Sequence, residues 1–394
     1  MPDFHRIAFI LAAGSVLGPS CTKPLDRSAS DQVAVTRSVD RRAPTTRGPS
    51  TGSLERISVP DDLARRCDLA AQPCGPPAYG EVGFVGTHPK NKLTNWFNEA
   101  QGLASGMWRG QPCVFFATKR RVYGWSAAGS QLVGIGKTLP DTRWEAGVPQ
   151  ILSRHYDHFG DLDFRPRGTA QGDALLFVPL EAKRKRRTQR PPILVVYSLP
   201  SENELRLEGH AVLEANGASQ GFAAPWIAAW PPNPTFIFTS AYDAAPSAEP
   251  LQILMYRDHD PGPGIRLRFE RAIALVDDEG HAERLQQLNG GEFNAAGDLF
   301  LLAQGGPCGP ALYGYALARW GKQMVLHRTG CHRVQIHLRR GKNEEFEGLT
   351  TGALPIPHGD SHIRGIVANW ETFGKTGIFL KHWRVENPGP FESR

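Results

Sequence analysis

An all-β fold is what this sequence predicts, and three observations predict it. Glycine (42) and proline (32) supply 74 of 394 residues, against a background of about 12%, so turns are frequent and long helices are disfavoured. Short glycine-marked segments recur along the chain at similar spacings. Each is followed by two or three runs rich in Val, Ile, Phe, Tyr and Leu and bounded by Gly, Pro, Asn or Asp, which is strand composition. Repeated units of about sixty residues, each a small antiparallel sheet, predict a β-propeller.

The five glycine-marked segments are Asn98–Leu103 (NEAQGL), His158–Asp163 (HFGDLD), Ser219–Phe222 (SQGF), Asn289–Phe293 (NGGEF) and Phe346–Thr350 (FEGLT). Gly102, Gly160, Gly221, Gly291 and Gly348 are separated by 58, 61, 70 and 57 residues. A first strand-like run follows each one: Cys113–Thr118, Ala174–Glu181, Thr235–Tyr242, Asp298–Gln304 and His362–Trp370. A second follows it: Arg121–Ser126, Pro192–Leu199, Leu251–Asp258, Leu312–Arg319 and Gly377–Val385. Four units add a third, at Gln131–Leu139, Arg206–Leu213, Ile265–Val276 and Lys322–His327.

This order predicts five four-stranded blades, with the glycine segment as the innermost strand of each, where blades crowd together and a missing Cβ lets backbones approach. The fifth unit runs out of chain near Val385, and Gly80–Gly86 (GEVGFVG) is placed to complete it. Six blades result if residues 54–95 hide a degenerate unit, and a pair of β-sandwiches is the alternative architecture.

The segments Asn98-Glu99-Ala100-Gln101-Gly102, His158-x-Gly160-Asp161-x-Asp163, Pro179-Leu180-Glu181, Glu347-Gly348-Leu349-Thr350 and Lys381-His382-Trp383 together resemble a group of secreted, largely uncharacterised bacterial β-propeller proteins. The resemblance spans roughly residues 95–385. It implies the fold and carries over no activity.

At the N-terminus, Ile7–Gly18 is a twelve-residue apolar run preceded by His5 and Arg6. That is the length of a signal-peptide core and too short to span a bilayer. Pro19-Ser20-Cys21 follows, and the pattern resembles a bacterial lipoprotein whose cysteine is acylated after cleavage. Thr22–Ser53 holds six basic and three acidic residues and hardly any large apolar ones, so it cannot offset its ordering entropy and is expected to be a disordered linker. The expected organisation is therefore a signal segment over 1–21, a linker over 22–53 and a propeller over 54–394. Export suits the cysteines, of which Cys67 with Cys74 and Cys308 with Cys331 are expected disulfides, and Cys113 a buried free thiol.

If the ring closes, Glu99, Gln101, Asp161, Asp163, Gln220, Glu292 and Glu347 converge on its axis. Gathered carboxylates repel unless a cation, water or arginine joins them. Oxygen ligands suit Ca²⁺, and Asp161, Glu292 and Glu347 are the expected metal ligands. The alternative is that these side chains hydrogen-bond backbone groups and fix the blades. His155-Tyr156-Asp157-His158-Phe159-Gly160-Asp161-Leu162-Asp163 is the densest collection of titratable groups. His155, Asp157 and His158 are expected with the axial residues at one channel mouth. Gly217-Ala218-Ser219-Gln220-Gly221 matches a nucleophile elbow in form, but Pro225, Pro231, Pro232 and Pro234 forbid the helix that motif needs.

The run Lys183-Arg184-Lys185-Arg186-Arg187, with Arg190, falls between two strands and is expected on an exposed hairpin, as a solvated loop or as a contact for phosphate or acidic polysaccharide. The tryptophans are expected in packing, with Trp226 and Trp230 the ones open to exposure. The formal charge of +6 is too mild for a nucleic-acid-binding composition. The functional expectation is an exported, monomeric binding module of the cell envelope. It would take a small molecule or envelope component at its channel mouth and touch membrane only through a lipid anchor. The competing expectation is a Ca²⁺-dependent lactonase or phosphoesterase using the axial carboxylates, and Ca²⁺ is the one cofactor the sequence suggests.

Overall fold

Strand follows strand throughout, as a turn-rich chain with β-type runs requires. The computed structural model describes residues 54–55, 82–87, 100–126, 144–167, 173–186, 190–214, 222–241, 252–259, 265–277, 279–295, 297–320, 323–333, 344–351, 362–371 and 375–384. The expected signal segment and linker, Cys21, Cys67, Cys74, Glu99, Ser219, Gln220, Gly221 and the expected strand Gln131–Leu139 lie outside the described residues.

Two short strands, β1 (Leu54–Glu55) and β2 (Val82–Thr87), precede five antiparallel units. Unit 1 is β3 (Ala100–Trp108), β4 (Gln111–Thr118), β5 (Arg121–Ser126) and β6 (Trp144–Gly147), paired in that order. Unit 2 has β7 (Tyr156–Phe159) and β8 (Asp163–Arg167), both paired with β9 (Asp173–Ala182), then β10 (Ile193–Ser201) and β11 (Glu204–Val212). Unit 3 is β12 (Ala228–Ala229), β13 (Phe236–Ala241), β14 (Gln252–Asp258) and β15 (Leu267–Val276). Unit 4 is β16 (Gln286–Phe293), β17 (Leu299–Gly305), β18 (Ala311–Trp320) and β19 (Gln323–Arg333). Unit 5 is β20 (Glu344–Thr350), β21 (His362–Glu371) and β22 (Lys375–Arg384), and its fourth strand is β2, with Val82 opposite Lys381. No α-helix occurs among the described residues.

Three features of the described strands have local causes. The described outer strand of unit 1 is Trp144–Gly147, because Trp144 buries its ring against Trp108 and Phe115, with centroids 5.4 and 5.5 Å away. The first strand of unit 2 is interrupted at Gly160-Asp161-Leu162, where the chain bends toward unit 3 and the amide of Asp161 donates to the Pro225 carbonyl at 2.7 Å. The first strand of unit 3 is Ala228–Ala229, after the glycine-marked segment, since the flanking Pro225, Pro231 and Pro232 offer no N–H to a ladder.

Contacts pass from each unit to the next and from the last to the first. Units 1 and 2 share one apolar core, in which the Phe115 and Phe164 rings stack at 5.7 Å. Trp108 and Trp144 also donate their indole N–H groups across it, to Leu199 and Ser201 carbonyls at 3.1 and 2.8 Å. Units 2 and 3 share a second core, through Phe177, Val196, Ile237 and Leu254. Units 3 and 4 share a third, where Phe238 meets Phe293 edge-on at 5.0 Å, and their outer strands β15 and β19 pair in parallel. Asn289 donates to the Phe346 carbonyl at 2.6 Å between units 4 and 5. Ser105 and Thr350 hydroxyls bond at 3.0 Å between units 1 and 5. Cys308 and Cys331 are joined in a disulfide within unit 4, while Cys113 is a free, buried thiol whose pKa burial pushes up to about 12.

The first strands touch through glycine. A Cβ on Gly348 would sit 2.7 Å from both Gly102 Cα and Leu103 N, and one on Gly102 would sit 2.6 Å from Asp161 Cα and Gly160 O. These neighbours are backbone and cannot turn aside. Gly209, by contrast, has nothing within 4 Å of an added Cβ. Gly348→Ala is therefore expected to cost about 1–3 kcal/mol through overpacking, read as a lower urea midpoint. Gly209→Ala should leave the midpoint nearly unchanged, and equal effects at the two positions would refute the close-approach account.

Candidate functional site

The site begins with an unmet need of the inner strands. A first strand has no partner on its inner edge, so some of its N–H groups face the axis unpaired. Asp161 answers it. One carboxylate oxygen, Oδ1, accepts the amides of Leu103 at 2.8 Å and Leu162 at 3.1 Å. The other, Oδ2, accepts those of Leu349 at 3.0 Å and Gly291 at 3.3 Å. With its own N–H bonded to Pro225, this fully buried residue touches units 1, 3, 4 and 5 as well as its own.

Asp163, also buried, accepts the amide of Ala229 at 2.8 Å and so ties unit 2 to unit 3. Glu292 is buried on the first strand of unit 4 and accepts the Phe293 amide at 3.1 Å. Burial pushes the Asp163 carboxyl up to about 6, against the pull of the Ala229 amide and Arg165. For Glu292, burial first, then the charges of Asp163 and Asp161, push the pKa well above the ordinary carboxyl value. Burial pushes the Asp161 carboxyl up as well, and its four N–H donors oppose that. A proton on either Asp161 oxygen would face a donor, so this geometry holds the carboxylate. At Glu292 the Phe293 amide alone opposes the rise.

The expected metal centre does not fit these residues. A carboxylate offers about four lone-pair sites, and the four amide N–H groups occupy those of Asp161. Nor do Asp161, Glu292 and Glu347 bring ligand atoms within 4.8 Å of one another; among the described residues only Asp277, Glu279 and His281 do so. Those three lie on a half-buried to exposed turn, where Asp277 Oδ1 accepts the Glu279 and His281 amides at 3.0 and 2.8 Å. What the axial acids do in this structure is accept backbone amides, Asp161 four of them and Asp163 and Glu292 one each.

Other predicted residues separate by depth. Asp161, Asp163, Glu292 and Glu347 are buried. His158 and Gln101 meet near the starts of the first strands of units 2 and 1, with His158 Nε2 2.6 Å from Gln101 Oε1 and both half-buried. Asp157 lies 3.6 Å from Arg120 on the neighbouring β4–β5 hairpin. His155 sits further out, its Nδ1 2.9 Å from the Arg186 guanidinium. The strand order explains the grouping, because the hairpin after each second strand returns the chain to the end where the first strand begins. Trp226 is fully buried and packs against Gly291, and Trp230 is half-buried and donates to the Gly297 carbonyl at 3.2 Å, so neither is a surface platform.

No family model matches the chain, and no curated protein matches it. Solved structures with a related trace include the α-L-arabinofuranosidase Arb93A of Fusarium graminearum, 9% identical, with a TM-score of 0.36 over 79% of this chain and 99% of that one. An N-acetylgalactosamine deacetylase of F. plautii is 7% identical, with a TM-score of 0.43 over 84% and 95%. The periplasmic gluconolactonase PpgL of Pseudomonas aeruginosa is 13% identical, with a TM-score of 0.33 over 73% and 85%.

Two predictions follow from the axial acids. Asp161→Asn places an amide NH₂ against two of the four donors, so stability should fall by at least about 2 kcal/mol; amide exchange at Leu103 and Leu349 should speed up with it. An unchanged urea midpoint would contradict the linking role. The raised pKa values set the sign of the pH dependence. A folded-state pKa above the unfolded one means the native state binds more protons, so its stabilising contribution is complete at low pH and is lost as pH rises. For Asp163 the loss runs from about 4 to about 6, and Glu292 extends it upward. Unfolding at pH 5 should thus need more urea than at pH 8, and Glu292→Gln should flatten that difference.

Proposed function

We propose that this chain is an exported five-bladed β-propeller that acts as a binding module of the cell envelope. The five units with contacts from each to the next, and the pairing of β2 with β22, support the blade count. The signal-like run Ile7–Gly18, Cys21 behind it and the Cys308–Cys331 disulfide support an oxidising, exported setting. The ligand is a small molecule or an envelope component, taken at the end of the axis where His158, Gln101 and Asp157 gather.

The observation that carries this reading is the occupation of Asp161. An axial carboxylate with four backbone donors has no capacity left to hold a cation, activate water or serve as a nucleophile. Asp163 and Glu292 are buried beside it and likewise bonded to backbone. The polar groups that remain half-open at the mouth are an imidazole and a carboxamide, which suit hydrogen-bonded recognition.

Thermal unfolding recorded with and without a chelator is expected to give the same midpoint, since no metal holds the axis. A chelator-induced fall would overturn the metal-free reading and favour the hydrolase. In a thermal-shift panel of peptidoglycan fragments and envelope oligosaccharides, any stabilising ligand should lose its effect on the Gln101→Ala/His158→Ala variant. Turnover of ester or phosphoester substrates that disappears in Glu292→Gln would refute the binding-module assignment.

A further inference from the structure

The clearest unabsorbed feature is a cationic end on unit 2, and it does not depend on the mouth ligand. The turn Pro149–Tyr156 is closed by Leu152 and Ser153 amides on the Pro149 carbonyl, at 2.8 and 3.0 Å. The Lys183 amide donates to the His155 carbonyl at 2.9 Å, which joins this turn to the β9–β10 hairpin. Within the hairpin a 3-10 turn spans Arg184–Arg186, and the Arg190 amide donates to the Arg186 carbonyl at 3.1 Å. Arg154 on one loop and Lys183, Lys185, Arg186 and Arg190 on the other are thereby held together. Partial burial, then the charges of Arg190, Arg186, Arg154 and Lys183, push the pKa of His155 down. Four cations therefore act on one ring.

None of these five cations forms an ion pair with a carboxylate among the described residues. Cations gathered by backbone bonds and left without carboxylate partners are suited to an anion. Charge alone would not choose between a soluble polyanion and a membrane. The apolar residues beside it do. Ile151, on the same turn as Arg154, is 72% exposed, the highest value among the exposed large apolar side chains described. Val212, 44% exposed, pairs with Ile193 immediately beyond the hairpin. A soluble polyanion gains nothing from a projecting isoleucine, whereas a bilayer surface accepts both an apolar tip and a ring of cations.

We infer that this end of unit 2 docks on an anionic lipid bilayer, with Arg154, Lys183, Lys185, Arg186 and Arg190 meeting headgroup phosphates and Ile151 entering the headgroup–acyl boundary. It is a second membrane contact, separate from any acyl chain on Cys21. It also turns the end that bears His158 and Gln101 toward the membrane.

The test uses the full chain carrying Cys21→Ser, so that no acyl chain contributes, with co-flotation on phosphatidylcholine vesicles with and without phosphatidylglycerol. Binding is expected only to the anionic vesicles and should weaken steeply with salt. Arg154→Glu/Lys185→Glu, at two exposed positions, should lower partitioning by at least about twentyfold, each lost cation near the surface counting about fivefold. Ile151→Ser should lower it severalfold while leaving its salt dependence unchanged. Thermal midpoints of both variants should match the parent, which separates docking from folding. Absence of binding to anionic vesicles at low salt, or equal binding to neutral ones, would overturn the inference. So would an Ile151→Ser variant that binds like the parent while a soluble sulfated polysaccharide displaces both, because that result assigns the patch to a polyanion.

Discussion

A fully buried carboxylate bonded to the backbone of three neighbouring units is the interaction on which the rest of this structure depends. Each unit presents an inner-edge strand, and an inner edge exposes amide groups with no partner strand beyond it. In a water-filled channel those amides could be solvated. Here the first strands approach so closely, with Gly348 against Gly102 and Gly102 against Asp161, that bulk water has no room between the backbones. Asp161 replaces solvent with charge-assisted acceptors, which are stronger than neutral ones and act in a medium of low dielectric. The glycines and the aspartate are thus two halves of one device: absent Cβ atoms allow the approach, and the carboxylate satisfies what the approach would leave unpaired.

That device constrains its surroundings. A buried negative charge raises the cost of any second one nearby, so the Glu292 pKa is pushed well above the ordinary carboxyl value, and burial draws Asp163 toward neutrality at mildly acidic pH. Away from the axis the sheets diverge, and the gap between them is filled by rings. Trp108, Phe115, Trp144 and Phe164 occupy it between units 1 and 2, and Trp226, Phe238 and Phe293 between units 3 and 4. The rings also do polar work at the same seam. Trp108, Trp144 and Trp230 donate to carbonyls of the following unit, so burial and hydrogen bonding fix the angle between sheets together.

How much of this was legible in the sequence follows from what period and composition can encode. Strands such as Arg121–Ser126 stand out because β-branched and aromatic residues are bounded by breakers, and the closing strand near Gly80–Gly86 stands out because unit 5 lacks a fourth run. Gly102, Gly291 and Gly348 marked inner strands for the steric reason the structure displays. What the pattern could not carry was the partner of each acid. Asp161 looks like a cation ligand in a list of carboxylates, because the four amides that meet it are 1, 58, 130 and 188 residues away. The signal that could have found it was the adjacent Gly160: a glycine beside an aspartate at a strand break is the signature of a backbone-bonding turn. The short strand Ala228–Ala229 escapes the pattern for a related reason, since the prolines around it erase the alternation that marks a strand.

The distribution of charge along the axis also bears on chemistry. A hydrolytic site needs an acid or a metal that substrate can reach, and a change of charge at that group during turnover. Here Glu292, whose pKa is raised by burial and by the charges of Asp163 and Asp161, is itself buried, and altering its charge would disturb the neighbouring contacts of Asp161 and Asp163 that hold units together. Half-buried polar groups lie instead at the hairpin end, where His158, Gln101 and the Asp157–Arg120 pair are supported by strands but are not needed to hold the axis. Separation of the acids that hold the ring from the polar groups that meet solvent lets the mouth vary in sequence without loss of the fold.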